Sequence, residues 1–367
     1  MVAAIMLSAF AIIVFINCTY YFIFSKFSFL KPLTDLKNNS LPISLIVCAK
    51  NESENLKKHI PFWIKQKYPD FEIILINDAS SDDSLEVMEK FSASDNRIKI
   101  VNVVNIEAFW ANKKYALTLG IKKAKNKYLL FTDADCKPKS DHWIQEMANQ
   151  FSDSKQLVLG YSGYQKKPSF LNKLIRFETW ITAFQYFSYA KIGMPYMGVG
   201  RNLGYTSTLF YENNGFMSHM YIRSGDDDLF VNEAANSKNT AICFSKNSFT
   251  ESIPKTTWKS FWNQKKRHIT TAKNYKTFHK IILSLYFIAN LLFWVGAVSC
   301  FFFIPWEWAT GLIALRLLTQ YLVYSKTLKK LDETGLLYLI PLLELFLICF
   351  QLSIFISNIF SKPKHWK

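Results

Sequence analysis

Glycine and proline are scarce in this 367-residue chain, at 12 and 11 residues, while half of it is hydrophobic. That balance excludes a collagen-like chain, an elastic linker and intrinsic disorder. No internal repeat or low-complexity segment interrupts it. The six cysteines, Cys18, Cys48, Cys136, Cys243, Cys300 and Cys349, are scattered without metal-ligand or redox spacing, a usage that suits a reduced cytoplasm. A glycine-rich phosphate loop and a dinucleotide fingerprint are both missing, which argues against a P-loop NTPase and a nicotinamide enzyme. Acidic residues are outnumbered: Lys and Arg total 44 against 28 Asp and Glu, for a net charge of +16. No zinc spacing, helix-turn-helix pattern or RNA-recognition signature accompanies that charge, so no nucleic-acid partner is expected.

The chain does have long apolar runs at both ends. Residues 3–24 carry no charge and are long enough to cross a bilayer as one helix. A cleaved signal peptide is the competing reading, but no basic segment precedes the run and no small-x-small site comes after it. Residues 1–25 therefore read as an uncleaved anchor, and Lys26, Lys31 and Lys37 place the chain beyond residue 25 on the cytoplasmic side. Three further runs, 281–306, 308–325 and 335–360, make residues 281–360 a C-terminal membrane region of about three helices. Basic flanks at 255–280 and at Lys326, Lys329 and Lys330 fit the cytoplasmic face. The basic tail, 361–367, conflicts with the outside C-terminus that three spans require; a re-entrant or interfacial run would reconcile them. Much of the positive charge then serves topology and attraction to anionic headgroups. Arg316 and Glu344 are the charges inside the last two runs. Each lies roughly nine residues from the cytoplasmic end, about 13–14 Å deep at ~1.5 Å rise per residue. Unpaired charges at that depth are costly, so the two are expected to pair. The expectation is an integral membrane protein with the lipid bilayer as partner, in the cell inner membrane if bacterial.

Between these ends, residues 40–275 change texture. Short, β-branched, nearly continuous apolar runs at 43–49, 71–78, 98–104 and 127–135 read as strands buried on both faces. Segments 52–67, 80–93 and 112–125 carry apolar residues near helical spacing, and Asp78 to Asp83 supplies a helix-start region. This alternation predicts an α/β domain with an open, mainly parallel sheet, whose ligands sit at the carboxyl ends of the strands. Asp78 closes the second strand, and Asp133 and Asp135 close the fourth. Two carboxylates at i and i+2 on a strand end can face one hard cation, Mg2+ or Mn2+, of the kind that also binds substrate phosphates.

The segments SLIVCAKNESENL (44–56), IILINDASSDDS (73–84), NKKYAL (112–117), YLLFTDADCKP (128–138), GRNLGY (200–205), SGDDDLF (224–230) and QKKRH (264–268) carry a resemblance in both order and spacing. Together they resemble the family 2 glycosyltransferases of GT-A fold, a Rossmann-like sheet domain, over about residues 42–270. The resemblance implies inverting transfer of a sugar from a nucleotide-sugar donor, with a divalent metal. By position, Glu52 and Asp78 match the residues that hold the nucleoside. Lys113 matches the basic residue of a Gly-Lys pair, with Asn112 in the glycine position. Asp133 and Asp135 match the Asp-x-Asp that faces ribose and metal. When Leu229 is aligned, SGDDDL matches Glu-Asp-x-Asp-Leu. Asp226 is then the general base, Asp227 its competitor one residue on, and Gly225 stands where an acidic residue is usual. In QKKRH, Gln264 and Arg267 fall at the acceptor and diphosphate positions, and His268 replaces the tryptophan that stacks on an acceptor sugar.

Those residue types suit the reaction. A base must take the acceptor hydroxyl proton opposite the leaving diphosphate, and positive charge must meet the negative charge that builds there. Lys113, Arg267 and a cation at Asp135 are the sources. The blander roles are that Asp227 or Asp228 caps the next helix, that Asn51 caps another, and that the aromatic run 177–190 is a core or interfacial helix. A catalytic domain tied to the membrane at both ends suggests a lipid-linked acceptor or a growing glycan, with a processive synthase as a subsidiary option. The competing functions are a nucleotidyltransferase and a non-catalytic scaffold or sensor that binds nucleotide sugar.

Overall fold

The computed structural model describes residues 1–32, 40–104, 113–222, 224–303 and 305–360. Lys37, Asn112 and the basic tail of the sequence analysis lie outside them. The chain divides into two compact units. An α/β unit is built from Pro32–Lys167 and Gly193–Thr256, and a helical unit from Met1–Lys31, Pro168–Ile192 and Thr257–Lys364.

Strands of the α/β unit are β1 (Ile43–Ala49), β2 (Phe71–Asp78), β3 (Ile98–Val103), β4 (Tyr128–Asp133), β5 (Cys136–Pro138), β6 (Leu157–Leu159), β7 (Ser162–Tyr164), β8 (Leu203–Thr206), β9 (Thr240–Ile242) and β10 (Thr250–Ser252). With helices numbered along the whole chain, this unit holds α2 (Ser53–Ile64), α3 (Ser84–Ser94), α4 (Lys113–Lys123), α5 (Trp143–Ala148), α7 (Ser207–Glu212) and α8 (Asp228–Ala234). The main sheet has the order β3-β2-β1-β4-β8-β6-β9. Strands β3, β2, β1 and β4 are parallel, β8 runs antiparallel to both neighbours, and β6 and β9 are parallel to each other. The four expected runs are the four parallel strands, and β2 is buried along its whole length. Val47, Leu75 and Leu130 join Trp63 of α2 and Trp143 of α5 in one core. Helix α4 sits close against the sheet: a Cβ on Gly120 would stand 2.2 Å from Ile76 Cδ1. Strands β5, β10 and β7 form a second sheet in that order.

The helical unit holds α1 (Val2–Ser28), α6 (Phe170–Lys191), α9 (Trp258–Ala272), α10 (Thr277–Phe303), α11 (Trp306–Lys330) and α12 (Ile340–Phe360). Val2–Ser28, Thr277–Phe303 and Thr334–Phe360 are long and apolar enough to cross a membrane. Helix α11 has the length but carries Glu307, Arg316, Lys326, Lys329 and Lys330. The 177–190 run belongs to α6, whose Phe184 and Phe187 meet Phe24 and Phe27 of α1 at ring-centroid distances of 5.0 Å. Arg176 of α6 pairs with the buried Glu333. Lys265 of α9 pairs with Glu178 of α6 at 2.5 Å.

The expected ion pair between the last two helices is present. Arg316 Nη2 donates to Glu344 Oε1 at 2.8 Å and to Asn290 Oδ1 at 2.8 Å, while Nη1 donates to Gln320 Oε1 at 2.7 Å. Glu344 also accepts from Gln320 Nε2 at 2.9 Å and Trp294 Nε1 at 3.2 Å. The guanidinium lies 4.3 Å from the Phe293 ring centre. Breaking a buried ion pair strands one charge, whereas replacing both partners removes that cost. Glu344→Leu should therefore destabilise the helical unit by about 3 kcal/mol or more. Arg316→Leu with Glu344→Leu should recover most of that loss in thermal unfolding of the detergent-solubilised chain. A double variant no more stable than Glu344→Leu would contradict this.

Candidate active site

Parallel register brings the expected carboxylates to one sheet edge. Ala49 at the end of β1 is level with Asn77 on one side, and Cys48 is level with Asp133 on the other. Asp78 comes directly after Asn77, so it and Asp133 flank the end of β1. Asp78 is buried, which raises its pKa against the opposing pull of Lys50 and Lys113. From β1 the chain turns through Asn51, held at φ 56°. Asn51 Oδ1 accepts from Ser81 N at 2.8 Å, so its side chain ties down the loop before α3 rather than capping α2. Glu52 stands at the N-cap of α2 and accepts from Asn55 Nδ2 at 2.5 Å. Burial raises its pKa too, with the Asn55 bond acting the other way.

Lys113 opens α4 and joins two distant parts of the sequence. Its Nζ lies 2.9 Å from Asp133 Oδ1 and 3.0 Å from Asp226 Oδ2. Burial opposes the charge on Lys113, but the two carboxylates outweigh it and its pKa is raised. Burial likewise works against an ionised Asp226, and Lys113 overrides it, so the Asp226 pKa is lowered. These groups line a cleft floored by Ile46, Cys48, Phe131 and Tyr205. The neighbouring Lys114 turns the other way. Its buried ammonium donates to the carbonyls of His219, Ile222 and Ser224 at 2.7, 2.9 and 2.9 Å, which fastens the segment leading to Asp226.

The three adjacent aspartates differ in what they touch. Gly225 has φ +91°, a conformation that L side chains rarely adopt, and this explains glycine at the usually acidic position. Asp227 is the N-cap of α8: Oδ1 accepts from Asp228 N at 2.8 Å, and Oδ2 accepts from Gly200 N at 2.7 Å. Burial, then the charges of Asp226 and Asp228, push Asp227 up to about 7. The folded chain thus keeps a proton on Asp227 that the unfolded chain releases near the ordinary carboxylate value of about 4. That contribution to stability is present in acid and lost as pH rises through about 7. Asp227→Asn cannot titrate, so its melting temperature relative to wild type should rise between pH 5 and pH 8. A difference that is flat or falls with pH would contradict the shift.

The turn carrying Asp135 is braced on several sides. His59 Nδ1 donates to the Ala134 carbonyl at 2.8 Å, between the two aspartates. Cys136 Sγ donates to Asp135 Oδ1 at 3.3 Å, and Ser252 Oγ donates to Oδ2 at 3.1 Å. Among the described residues no group of three or more His, Cys, Asp or Glu side chains could hold a metal. The donor set at Asp133 and Asp135 fits a hard cation held by one or two carboxylates, with its remaining ligands from water and substrate phosphates.

Glu52, Asp78, Lys113, Asp133, Asp135, Asp226 and Asp227 all lie in the α/β unit, and Lys113 joins Asp133 directly to Asp226. Gln264, Arg267 and His268 lie on α9 in the helical unit. Sequence reasoning gave no role to His59, Lys114 or Ser252. Their signal is tertiary, because each acts on residues far away in the chain.

A family model described as glycosyl transferase family 2 matches residues 44–208. One described as glycosyl transferase family group 2 matches residues 130–357, more than half of the chain. The chain belongs to the family 2 glycosyltransferases. This glycosyltransferase has the GT-A-like fold: the mannosyltransferase PcManGT from Pyrobaculum calidifontis, in complex with GDP-Man and Mn2+, superposes with a TM-score of 0.56 at 15% identity, over 92% of this chain and 99% of that one. The poly-beta-1,6-N-acetyl-D-glucosamine synthase of Staphylococcus epidermidis is 32% identical over 139 residues, 37% of this chain and 32% of that protein. The UDP-Glc:alpha-D-GlcNAc-diphosphoundecaprenol beta-1,3-glucosyltransferase WfaP of Escherichia coli is 26% identical over 132 residues, 35% of this chain and 48% of that protein. The glycosyltransferase thus spans about a third to a half of the length of these curated relatives.

Proposed function

We propose that this glycosyltransferase is a membrane-bound, inverting hexosyltransferase that moves a sugar from a nucleotide-sugar donor to a lipid-linked or growing glycan acceptor. The observation that carries the reading is one ammonium, Lys113, lying within 3.0 Å of both the Asp-x-Asp strand end and the acidic start of α8. That contact supports donor-side and base-side roles within one cleft. Asp226, kept ionised by Lys113, accepts the acceptor hydroxyl proton as the new oxygen–carbon bond forms. The bond from the sugar to the diphosphate breaks on the opposite face, and its electron pair leaves with the diphosphate. Glu52 and Asp78 bind the nucleoside. Asp133 and Asp135 would hold Mg2+ or Mn2+, which when bound supplies positive charge to the diphosphate oxygens. Gln264, Arg267 and His268 serve the acceptor and diphosphate side.

The domain plan is an N-terminal anchor at 1–25, a catalytic domain within 40–275 and a membrane region at 281–360. Three helices of membrane-crossing length and the basic flanks support a cytoplasmic catalytic domain at the bilayer surface. The names of the two relatives give a polysaccharide product in one case and a diphosphoundecaprenol-linked acceptor in the other, which supports the acceptor classes. The test is mass spectrometry of membranes from cells expressing wild type or Asp226→Asn, supplied with a panel of nucleotide sugars. Lipids or glycans heavier by one sugar residue in the wild type alone are expected. A product heavier by a nucleoside monophosphate would mean nucleotidyl transfer, and binding without product would mean a scaffold.

A further inference from the structure

Arg201 lies between Gly200, whose N–H is held by Asp227, and β8. Its carbonyl is fixed, accepting from Thr132 Oγ1 and Thr250 Oγ1 at 3.0 Å each. Its guanidinium lies 4.4 Å from the centre of the Tyr164 ring. Nη1 is shut off from solvent and meets no hydrogen-bond acceptor among the described residues. Such an orphaned donor is costly, because it gives up its bonds to water for nothing. Burial opposes its charge, and Tyr164, Cys136, Asp135 and Asp133 favour it. Yet Asp135 gives its two oxygens to Cys136 and Ser252 instead.

The second sheet organises this. Ser252 of β10 is level with Cys136 of β5 on one side and with Tyr164 of β7 on the other. One cross-strand row therefore orients the Asp135 carboxylate through Cys136 and Ser252, and the Arg201 guanidinium through Tyr164. The row gives the carboxylate and the cation separate partners, Cys136 and Ser252 for one and Tyr164 for the other. A ligand that satisfies both needs an anion for Arg201 and a metal-binding oxygen set for Asp135. A diphosphate has both, and guanidinium matches phosphate geometry with paired N–H donors.

Resting on the glycosyl-transfer reading, we propose that Arg201 is a binding residue for the diphosphate of the nucleotide-sugar donor, held by Tyr164 beside the Asp-x-Asp turn. It acts on the phosphates and not on the nucleoside, whose carboxylate partners, Glu52 and Asp78, stand on β1–α2 and β2.

The full chain in detergent is titrated calorimetrically with a panel of nucleoside diphosphates in Mn2+, and the matching nucleosides are followed by ligand-observed NMR. For the tightest diphosphate, Arg201→Gln should weaken binding by about 10–100-fold, the value of a charge-assisted contact. Arg201→Lys should fall between the two, and nucleoside binding should change less than about twofold. Circular dichroism melts of both variants separate misfolding from loss of the contact. Unchanged diphosphate binding in Arg201→Gln would overturn the proposal, as would equal loss of nucleoside and diphosphate. So would a loss seen with a polyprenyl phosphate in mixed micelles and not with the diphosphate. A wild type that binds no nucleoside diphosphate would instead overturn the glycosyl-transfer reading, and this proposal with it.

Discussion

Asp226→Asn should lower turnover by roughly 10²–10⁴-fold, the usual contribution of a positioned general base. Size and hydrogen-bonding shape are kept, so the loss reports basicity. Nucleotide binding should change little, because the role proposed for Asp226 is at the acceptor. The comparison that matters is Asp227→Asn. Asp227 spends both oxygens on backbone N–H groups, capping α8 and holding Gly200, whereas Asp226 faces Lys113 in the cleft. Asp227→Asn should therefore lose stability before it loses chemistry. Single-turnover rates for the two variants decide the matter. If Asp226→Asn turns over normally while Asp227→Asn does not, the base is one residue further on; normal turnover in both would sink the mechanism.

Asp135→Ala should take turnover to background while the chain stays folded and membrane-inserted. Its carboxylate is braced by Cys136 and Ser252, and the ion pairs of Lys113 run to Asp133 and Asp226, so its removal leaves that network intact. Mn2+ should strengthen nucleotide binding to the wild type and no longer do so in Asp135→Ala, measured by calorimetry with and without chelator. Full activity of the variant in excess chelator would end the assignment.

The parallel half of the sheet was legible because its strands are long, continuous and apolar; the expected run 71–78 and β2 have the same ends. Strands β5, β6, β7, β9 and β10 are three residues each, too short to show a period. The aromatic run in α6 was ambiguous for a different reason. Its rings find their partners on α1 and, through Trp180 and Tyr324, on α11, and neither contact is local. At the site, Asp78 and Asp133 stood out because each ends an apolar strand, and Asp135 because it lies two residues beyond Asp133. Three consecutive aspartates in a turn have no period to separate them; backbone geometry does, through Gly225 and the α8 cap. Arg201 carried no signal of its own, since its role comes from a cross-strand row assembled from residues 136, 164 and 252.

The polar side chains Asn17 and Tyr20 of the first helix find hydrogen-bond partners far along the chain. Asn17 Nδ2 donates to the Ala289 carbonyl at 3.0 Å, across 272 residues, and Tyr20 Oη donates to the Ile282 carbonyl at 2.7 Å. At ribosomal rates of about 5–20 residues per second, α1 waits roughly 15–55 s for α10 to be made. The α/β unit up to Thr256 is synthesised in that interval. During it, α6 can cover Phe24 and Phe27, but Asn17 and Tyr20 still lack their α10 carbonyls, which makes α1 a substrate for any insertion factor that shelters single helices. Nascent chains stalled before residue 277 should therefore crosslink from Asn17 and Tyr20 to such factors, and chains released after residue 360 should crosslink to α10.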